Sequence, residues 1–363
     1  MPYKVILSSL GSIGSMSLPL LLDRDEFELV GLWCHGEEKH GVDAGVLAGR
    51  ESVGLAATGN FDAVVAMEAD CVLYHSAYIG RQDAAIEDMA RLLRSGKNVI
   101  TPWPSTLMWP PYGRKVIPEG IAQLEEAALE GGSSLFATGT DPGIATDALP
   151  ALLSGASGSV ERVTVQECGD YSPLAPTGLL TAPEFLSLGQ PMDYAGRSWV
   201  EETAMQELGG AMPPLIAAAL GFEATEVEFF EERGPAERRK EFSNGGVIEV
   251  GSIGSRFFGF KARTDGPTVV WQHVTHAGCG VPDEWPLLRP LHGGYAIAFE
   301  GSPSMRVSFE MEEGGNEYMG GMLITATRCA NAIGAVCRAA PGIRTVFDFP
   351  LGELTLGRPP GFG

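Results

Sequence analysis

Residues 3–14 read Tyr3-Lys4-Val5-Ile6-Leu7-Ser8-Ser9-Leu10-Gly11-Ser12-Ile13-Gly14. A short apolar run that stops at serine and glycine is the mark of a buried strand. The segment after it, Ser9-Leu10-Gly11-Ser12-Ile13-Gly14, fits G-x-G-x-x-G with serine in the first place. Small residues suit this chemistry. Gly11 lets the backbone approach a pyrophosphate, Gly14 lets the next helix lie close on the strand, and the helix N-terminus meets the negative charge. The motif follows the first strand, where a doubly wound fold places its phosphate loop. The stretch therefore predicts a dinucleotide-binding domain. The competing reading is a tight strand–helix turn in an unrelated α/β fold.

Working outward, 14–23 reads as a helix and 28–34 as a second strand, with further strands at 70–75, 98–101 and 134–138. Asp83 is the expected N-cap of a helix that buries Ile86, Met89 and Leu93 and ends at Gly96; another helix spans 119–130. Such alternation implies an N-terminal Rossmann domain over 1–150, a doubly wound parallel sheet. Beyond it the rhythm changes. Strands at 160–167, 225–231, 247–250, 267–275, 295–300 and 305–311 follow one another with few helices between. They predict a second α+β domain over 151–318 on a mostly antiparallel sheet. Residues 170–215 are rich in Pro and Gly and read as irregular. The run Glu223, Glu226, Glu228, Glu231 and Glu232 reads as a solvated face. Met322, Ala326, Cys329, Ala330, Ile333, Val336 and Cys337 form an apolar helical stripe over 319–340, and 341–363 is left as a C-terminal tail.

The choice of dinucleotide is read near the end of the second strand, where an acid would bind the ribose 2′-hydroxyl. Cys34, His35 and Gly36 stand there, with Lys39 and His40 just after and Glu37 and Glu38 between. A missing acid and nearby bases favour NADP(H); NAD(H) stays open because a loop glutamate can substitute.

Composition closes off other classes. The chain has 363 residues, which suggests two domains at about 150 residues each. With 44% hydrophobic and 20% charged residues it can bury a sizeable core, so disorder is excluded. A net charge of −21 opposes binding to nucleic acid or to anionic membrane surfaces. No apolar run reaches the roughly 18–20 residues of a membrane span. Lys4 ahead of an apolar stretch imitates a signal peptide, but serines and glycines interrupt it. Six cysteines without a CxxC pair argue against a disulfide scaffold or a zinc site and imply reduced thiols in a cytoplasm. No metal site is expected. His273 and His276 are the only close histidine pair, and three residues apart on a strand they face opposite ways, so each stands alone as a core or site residue. G-x-S-x-G and the P-loop pattern are absent.

Several segments occur in a telling order. After the glycine turn come Glu28-Leu29-Val30-Gly31-Leu32, Gly41-Val42-Asp43-Ala44-Gly45 and Gly139-Thr140-Asp141-Pro142-Gly143, with Asp147 and Leu149-Pro150. Ala326-Thr327-Arg328, Asn331-Ala332-Ile333, Ala340-Pro341-Gly342-Ile343 and Asp348-Phe349-Pro350 follow. This set resembles the dihydrodipicolinate reductase-like oxidoreductases, nearest to the branch of 2,4-diaminopentanoate dehydrogenase and the native amine dehydrogenases, over nearly the whole chain. The resemblance implies a Rossmann domain binding NAD(P)H, a second domain covering a small carbonyl, imine or amine substrate, and a late helix that returns to the nucleotide domain. It also implies a homodimer, and hydride transfer between nicotinamide and a C–N carbon.

Two departures qualify it. The histidine pair, lysine and Pro-Ser-Gly-Thr turn of the lysine-pathway reductase are absent. Amine dehydrogenases of this branch carry a glutamate just after the strand equivalent to 98–101; here Thr101-Pro102-Trp103-Pro104-Ser105-Thr106 follows, with no acid until Glu119. The expected cofactor residues are Ser9 to Gly14, His35, Lys39, Thr101 and Asn331. Trp103, Pro104, Trp109, Thr140 and Asp141 are expected to line the substrate. Thr106, Asp170, Tyr171 and His276 are the candidate proton donors for an alkoxide or amine. A ketone or aldehyde reductase without amine chemistry, and an NADP(H)-binding redox sensor without turnover, are the alternatives.

Overall fold

The computed structural model describes residues 1–78, 80–177, 186–196, 207, 209–288, 293–315, 317–350 and 354. The chain divides into two compact units, Met1–Ile144 with Met322–Gly363, and Ala145–Gly321.

The first unit holds β1 (Tyr3–Ser8), β2 (Phe27–Trp33), β3 (Cys71–Tyr74), β4 (Asn98–Thr101) and β5 (Ser134–Ala137). With β14 (Gly342–Arg344) from near the end of the chain, their sheet runs in the order β14-β5-β4-β3-β1-β2, every pair parallel. β1, β3, β4 and β5 are largely buried, which is why they read as apolar runs rather than alternations. After β1 the chain turns one way to β2 and then returns to β3 on the other side of β1. The sheet therefore has a topological switch point between β1 and β3, and open α/β sheets bind ligands at that place. Val5, Leu7, Leu32 and Leu73 of the strands share one core with Leu18 and Leu21 of the helix Ser12–Asp23. Cys329, Ala330, Ile333 and Val336 of the helix Glu317–Arg338 complete it.

β6 (Ser159–Asp170), β7 (Glu226–Pro235), β8 (Lys240–Glu241), β9 (Val247–Ile248), β10 (Ile253–Arg263), β11 (Thr268–His276), β12 (Gly294–Ser302) and β13 (Met305–Glu310) form the second unit. Six of them make a sheet in the order β13-β12-β6-β11-β10-β7. It is antiparallel except for the β6–β11 pair.

Five expectations are corrected. β10 is a central strand that the sequence reading passed over, because Gly254, Arg256 and Gly259 interrupt its apolar pattern. Segment 341–363 is not wholly a tail: β14 (Gly342–Arg344) pairs with β5, and three residues are too few to show a period. The rest of that tail beyond Pro350, apart from Leu354, lies outside the described residues, as do 178–185, 197–206 and 208 of the irregular stretch. Asp83 does not cap its helix; Gln82–Arg94 starts after Arg81, and Asp83 sits in the first turn, where a carboxylate favours the helix dipole. In the glutamate run, Glu231 is not solvated: it pairs with Arg256, whose side chain is fully buried, and with Arg233 at 3.2 Å. Within 170–215 the structure also shows a helix, Met212–Ala219, with its prolines in the first turn, where no hydrogen bond is lost. No helix among the described residues is long and apolar enough to cross a membrane.

Candidate active site

The turn between β1 and the helix Ser12–Asp23 has the geometry that a dinucleotide needs. Ser9 adopts φ +73°, a left-handed conformation that glycine takes more readily, and the position is the first of the motif. A Cβ on Gly14 would overlap the Ser9 carbonyl oxygen, so only glycine lets the helix sit this close. At Gly11 nothing lies within 4 Å of where a Cβ would be. Gly11 caps the helix without a side-chain hydrogen bond, so the first-turn N–H groups are bare toward that open side. Ser9 to Gly14 thus fit a pyrophosphate.

The switch point is held by polar contacts. Ser8 Oγ and Ser76 Oγ, at the ends of β1 and β3, lie 2.8 Å apart, and His75 Nε2 lies 3.0 Å from Ser17 Oγ of the first helix. Burial holds His75 neutral, its pKa lowered to about 3.

Past the end of β2 the second βα loop meets the glycine turn. Lys39 Nζ donates to the Leu10 carbonyl at 3.2 Å, which ties the second βα loop to the glycine turn. His35 packs at a tilt against Trp33, ring centroids 4.3 Å apart, and its Nε2 receives Arg81 Nη1 at 3.1 Å. Burial, then the Arg81 charge, lowers the His35 pKa, so the lasting cations here are Lys39 and Arg81. Sequence reasoning missed Arg81, which stands far along the chain after β3. Glu38 lies over Gly36, with its carboxylate 3.8 Å from Lys39 Nζ.

The other expected residues of this unit have mixed placements. Thr101 donates to the Trp103 carbonyl at 3.0 Å and receives the Trp103 N–H at 3.3 Å, so its hydroxyl builds the turn after β4. Pro104 is buried and Trp103 half-buried. Trp109 stands edge-on to Phe347 at 5.9 Å. Thr106 is fully buried, and its hydroxyl makes no hydrogen bond. Thr140 is fastened to the late helix: Thr325 Oγ1 receives the Thr140 N–H at 3.2 Å and donates to Thr140 Oγ1 at 3.0 Å. Asp141 follows it, half-buried. Asn331 is not brought to the glycine turn. It accepts from Arg24 at 2.7 Å, just past the C-terminal end of the first helix, about 18 Å along that helix from Gly11. Glu119, the first acid after β4, is exposed.

In the second unit the backbones of the expected trio lie side by side, the Tyr171 N–H donating to the His276 carbonyl at 2.8 Å. Asp170 and His276 are register partners on β6 and β11, and each also shapes a turn. Asp170 accepts from the Ser172 N–H at 2.9 Å and its hydroxyl at 2.5 Å, and His276 Nδ1 accepts from the Gly278 N–H at 2.9 Å. Tyr171 instead donates to Glu167 Oε1 at 3.0 Å. The other oxygen of Glu167 lies 3.0 Å from Nδ1 of His273, its own register partner. Glu167 escaped the sequence reading because nothing marks one acid in a strand; the partner across the sheet marks it.

No protein-family model matches this chain. It is 30% identical over 348 residues to an amine dehydrogenase of Streptomyces virginiae, covering 94% of each chain. The chain belongs to the amine dehydrogenase family. A 2,4-diaminopentanoate dehydrogenase of Acetoanaerobium sticklandii is 23% identical, with 98% of this chain and 95% of the relative covered. The structure of the amine dehydrogenase from Mycobacterium smegmatis superposes with a TM-score of 0.75 at 20% identity, covering 96% of both chains. As a member of this family the protein is an NAD(P)-dependent oxidoreductase.

Proposed function

We propose that this enzyme is an NADP(H)-preferring amine dehydrogenase that moves hydride between the dinucleotide and a nitrogen-bearing carbon of a small, largely apolar molecule. The observation that carries the reading is the Ser9–Gly14 turn, with its bare helix N-terminus and the open side of Gly11. When bound, the nicotinamide supplies or accepts the hydride; the chain binds, orients and excludes water. Ser9 to Gly14 hold the pyrophosphate, and Trp103, Pro104 and Trp109 offer an apolar wall.

Lys39 and Arg81 support a 2′-phosphate, as does the lack of an acid at 34–36. Glu38 over Gly36 favours the competing cofactor, NAD(H). Competitive titration of NADPH and NADH decides between them. The six free cysteines support a reducing cytoplasm, and a homodimer is the proposed assembly.

A second reading has its own observation. No carboxylate stands between β4 and Glu119, which favours a ketone or aldehyde reductase needing no amine donor. NADPH consumption with cyclohexanone, with and without ammonium, separates the two. The amine reading expects turnover that depends on ammonium; equal rates in both would replace it with the carbonyl reductase.

A further inference from the structure

The loop after β2 and the start of the helix Gln82–Arg94 meet at one pair of side chains, both within the first compact unit. Arg81 Nη1 lies 3.1 Å from His35 Nε2. A guanidinium only donates, so Nε2 is the acceptor and the neutral ring carries its proton on Nδ1. The other arm of the fork, Nη2, lies 3.4 Å from Asp88 Oδ2, which also accepts from the Tyr74 hydroxyl at 2.9 Å. Tyr74 and Asp88 hold Arg81 at one end and leave the other end to His35. Trp33 packs against the His35 ring at 4.3 Å and against Phe61 at 4.6 Å, which limits how far the imidazole can turn.

The backbone puts this pair beside the glycine turn. The Ser9 N–H donates to the Trp33 carbonyl at 2.6 Å, just before His35, and Lys39 Nζ donates to the Leu10 carbonyl at 3.2 Å, just after it. In a doubly wound sheet the adenosine ribose lies at this end of the second strand. The remaining charged and titratable groups nearby have other partners or stand on the loop itself. Lys39 lies 3.8 Å from Glu38, His40 Nε2 lies 2.9 Å from the Cys34 carbonyl, and Asp62 of the helix Phe61–Ala66 accepts from Arg91. Glu37 is exposed.

Protonating His35 breaks its contact with Arg81. The imidazolium has N–H groups at both nitrogens, so two donors and two cations would face one another with no acceptor between them. In the free enzyme, burial and then the Arg81 charge lower the His35 pKa, against an opposing pull from Asp88. A phosphomonoester reverses that balance, because it brings up to two negative charges and three acceptor oxygens. A chain of net charge −21 needs such local positive charge to hold one.

We propose that His35 is a specificity-determining residue that meets the 2′-phosphate of NADP(H) as an imidazolium beside Arg81, so that NADPH binding takes up a proton and NADH binding does not. This rests on the reading of the enzyme as NADP(H)-preferring. The proton comes from solvent and adds to Nε2, Nδ1 keeps its own, and no other bond changes. The phosphate raises the affinity of His35 for its proton above that of the free enzyme. The added affinity for NADPH is therefore complete at pH values below the free-enzyme titration of His35 and is lost as pH rises through the titration of the complex.

The test titrates the full chain with NADPH and with NADH by calorimetry at pH 7, in two buffers of different ionisation enthalpy, comparing wild type with His35→Gln. Wild type should take up about half a proton or more on binding NADPH beyond what His35→Gln takes up, and the two should not differ with NADH. Between pH 8 and pH 6 the NADPH Kd of wild type should fall about tenfold relative to that of His35→Gln; the phosphate's own titration is common to both and cancels. NMR of the wild-type His35 ring reads the same event without a variant: NADPH moves its titration midpoint up by about one pH unit or more, and NADH leaves it in place. NADPH bound more tightly than NADH, with equal proton uptake in wild type and His35→Gln or with an unmoved His35 midpoint, overturns the proposal alone. NADPH bound no more tightly than NADH overturns the NADP(H) reading and the proposal together.

Discussion

Gly11 and Gly14 share a motif, but the structure asks different things of them. Gly14→Ala puts a methyl group into the Ser9 carbonyl, and we expect it to cost roughly 1–3 kcal/mol of stability as well as cofactor binding. Gly11→Ala meets nothing in the protein. Its stability should stay within about 1 kcal/mol of wild type, while NADPH affinity falls tenfold or more as the methyl group blocks the phosphate. Thermal melting and fluorescence titration read the two effects apart. At the ribose end, Arg81→Gln should weaken NADPH about 10- to 100-fold and NADH less than about threefold, the value of one charge-assisted contact to a phosphate. Equal losses for both nucleotides would remove Arg81 from the 2′ site. Lys39 and the glycines can be proposed from sequence because they lie next to strand ends. Arg81 cannot, because its neighbour His35 stands 46 residues away along the chain. Asp170 and His276 are reactive residue types at strand ends that also shape turns, through Asp170 Oδ1 and His276 Nδ1.

Among elements, those with a strong period were the legible ones. The stripe of Ala326, Cys329, Ala330, Ile333 and Val336 is buried as its spacing implies. Ile333→Ala should cost about 2–5 kcal/mol, read as a lowered midpoint of urea unfolding with little change in slope. β10 was illegible because its glycines serve close packing: a Cβ on Gly259 would overlap the Trp271 carbonyl across the sheet. The link between β3 and the first helix runs through His75 and predicts a pH effect. The folded pKa of His75 is about 3, below the ordinary 6.5. The unfolded chain therefore binds the extra proton, so this contribution is complete above pH 6.5 and lost as pH falls toward 3. At pH 5 the loss is on the order of 2 kcal/mol. Unfolding free energies at pH 7 and pH 5 should show that much more loss in wild type than in His75→Gln; parallel losses would mean His75 is not held neutral.

At the scale of the whole molecule, the sequence implied the two-domain plan and its parallel and mostly antiparallel sheets through the change in rhythm near residue 150. The contact boundary falls between Ile144 and Ala145. The late helix crosses the second boundary, and its residues from Met322 onward belong to the first unit. Assembly is invisible to such patterns, and light scattering of the purified chain tests the proposed homodimer: a mass twice 38.4 kDa supports it and a single-chain mass contradicts it. What defines the molecule chemically is where the hydride goes. The most direct measurement supplies NADPH deuterated at nicotinamide C4 on its reactive face, with cyclohexanone and ammonium, and examines the product by mass spectrometry. The account predicts an amine carrying deuterium on the carbon bonded to nitrogen. A deuterated alcohol, or amine without label, would contradict it.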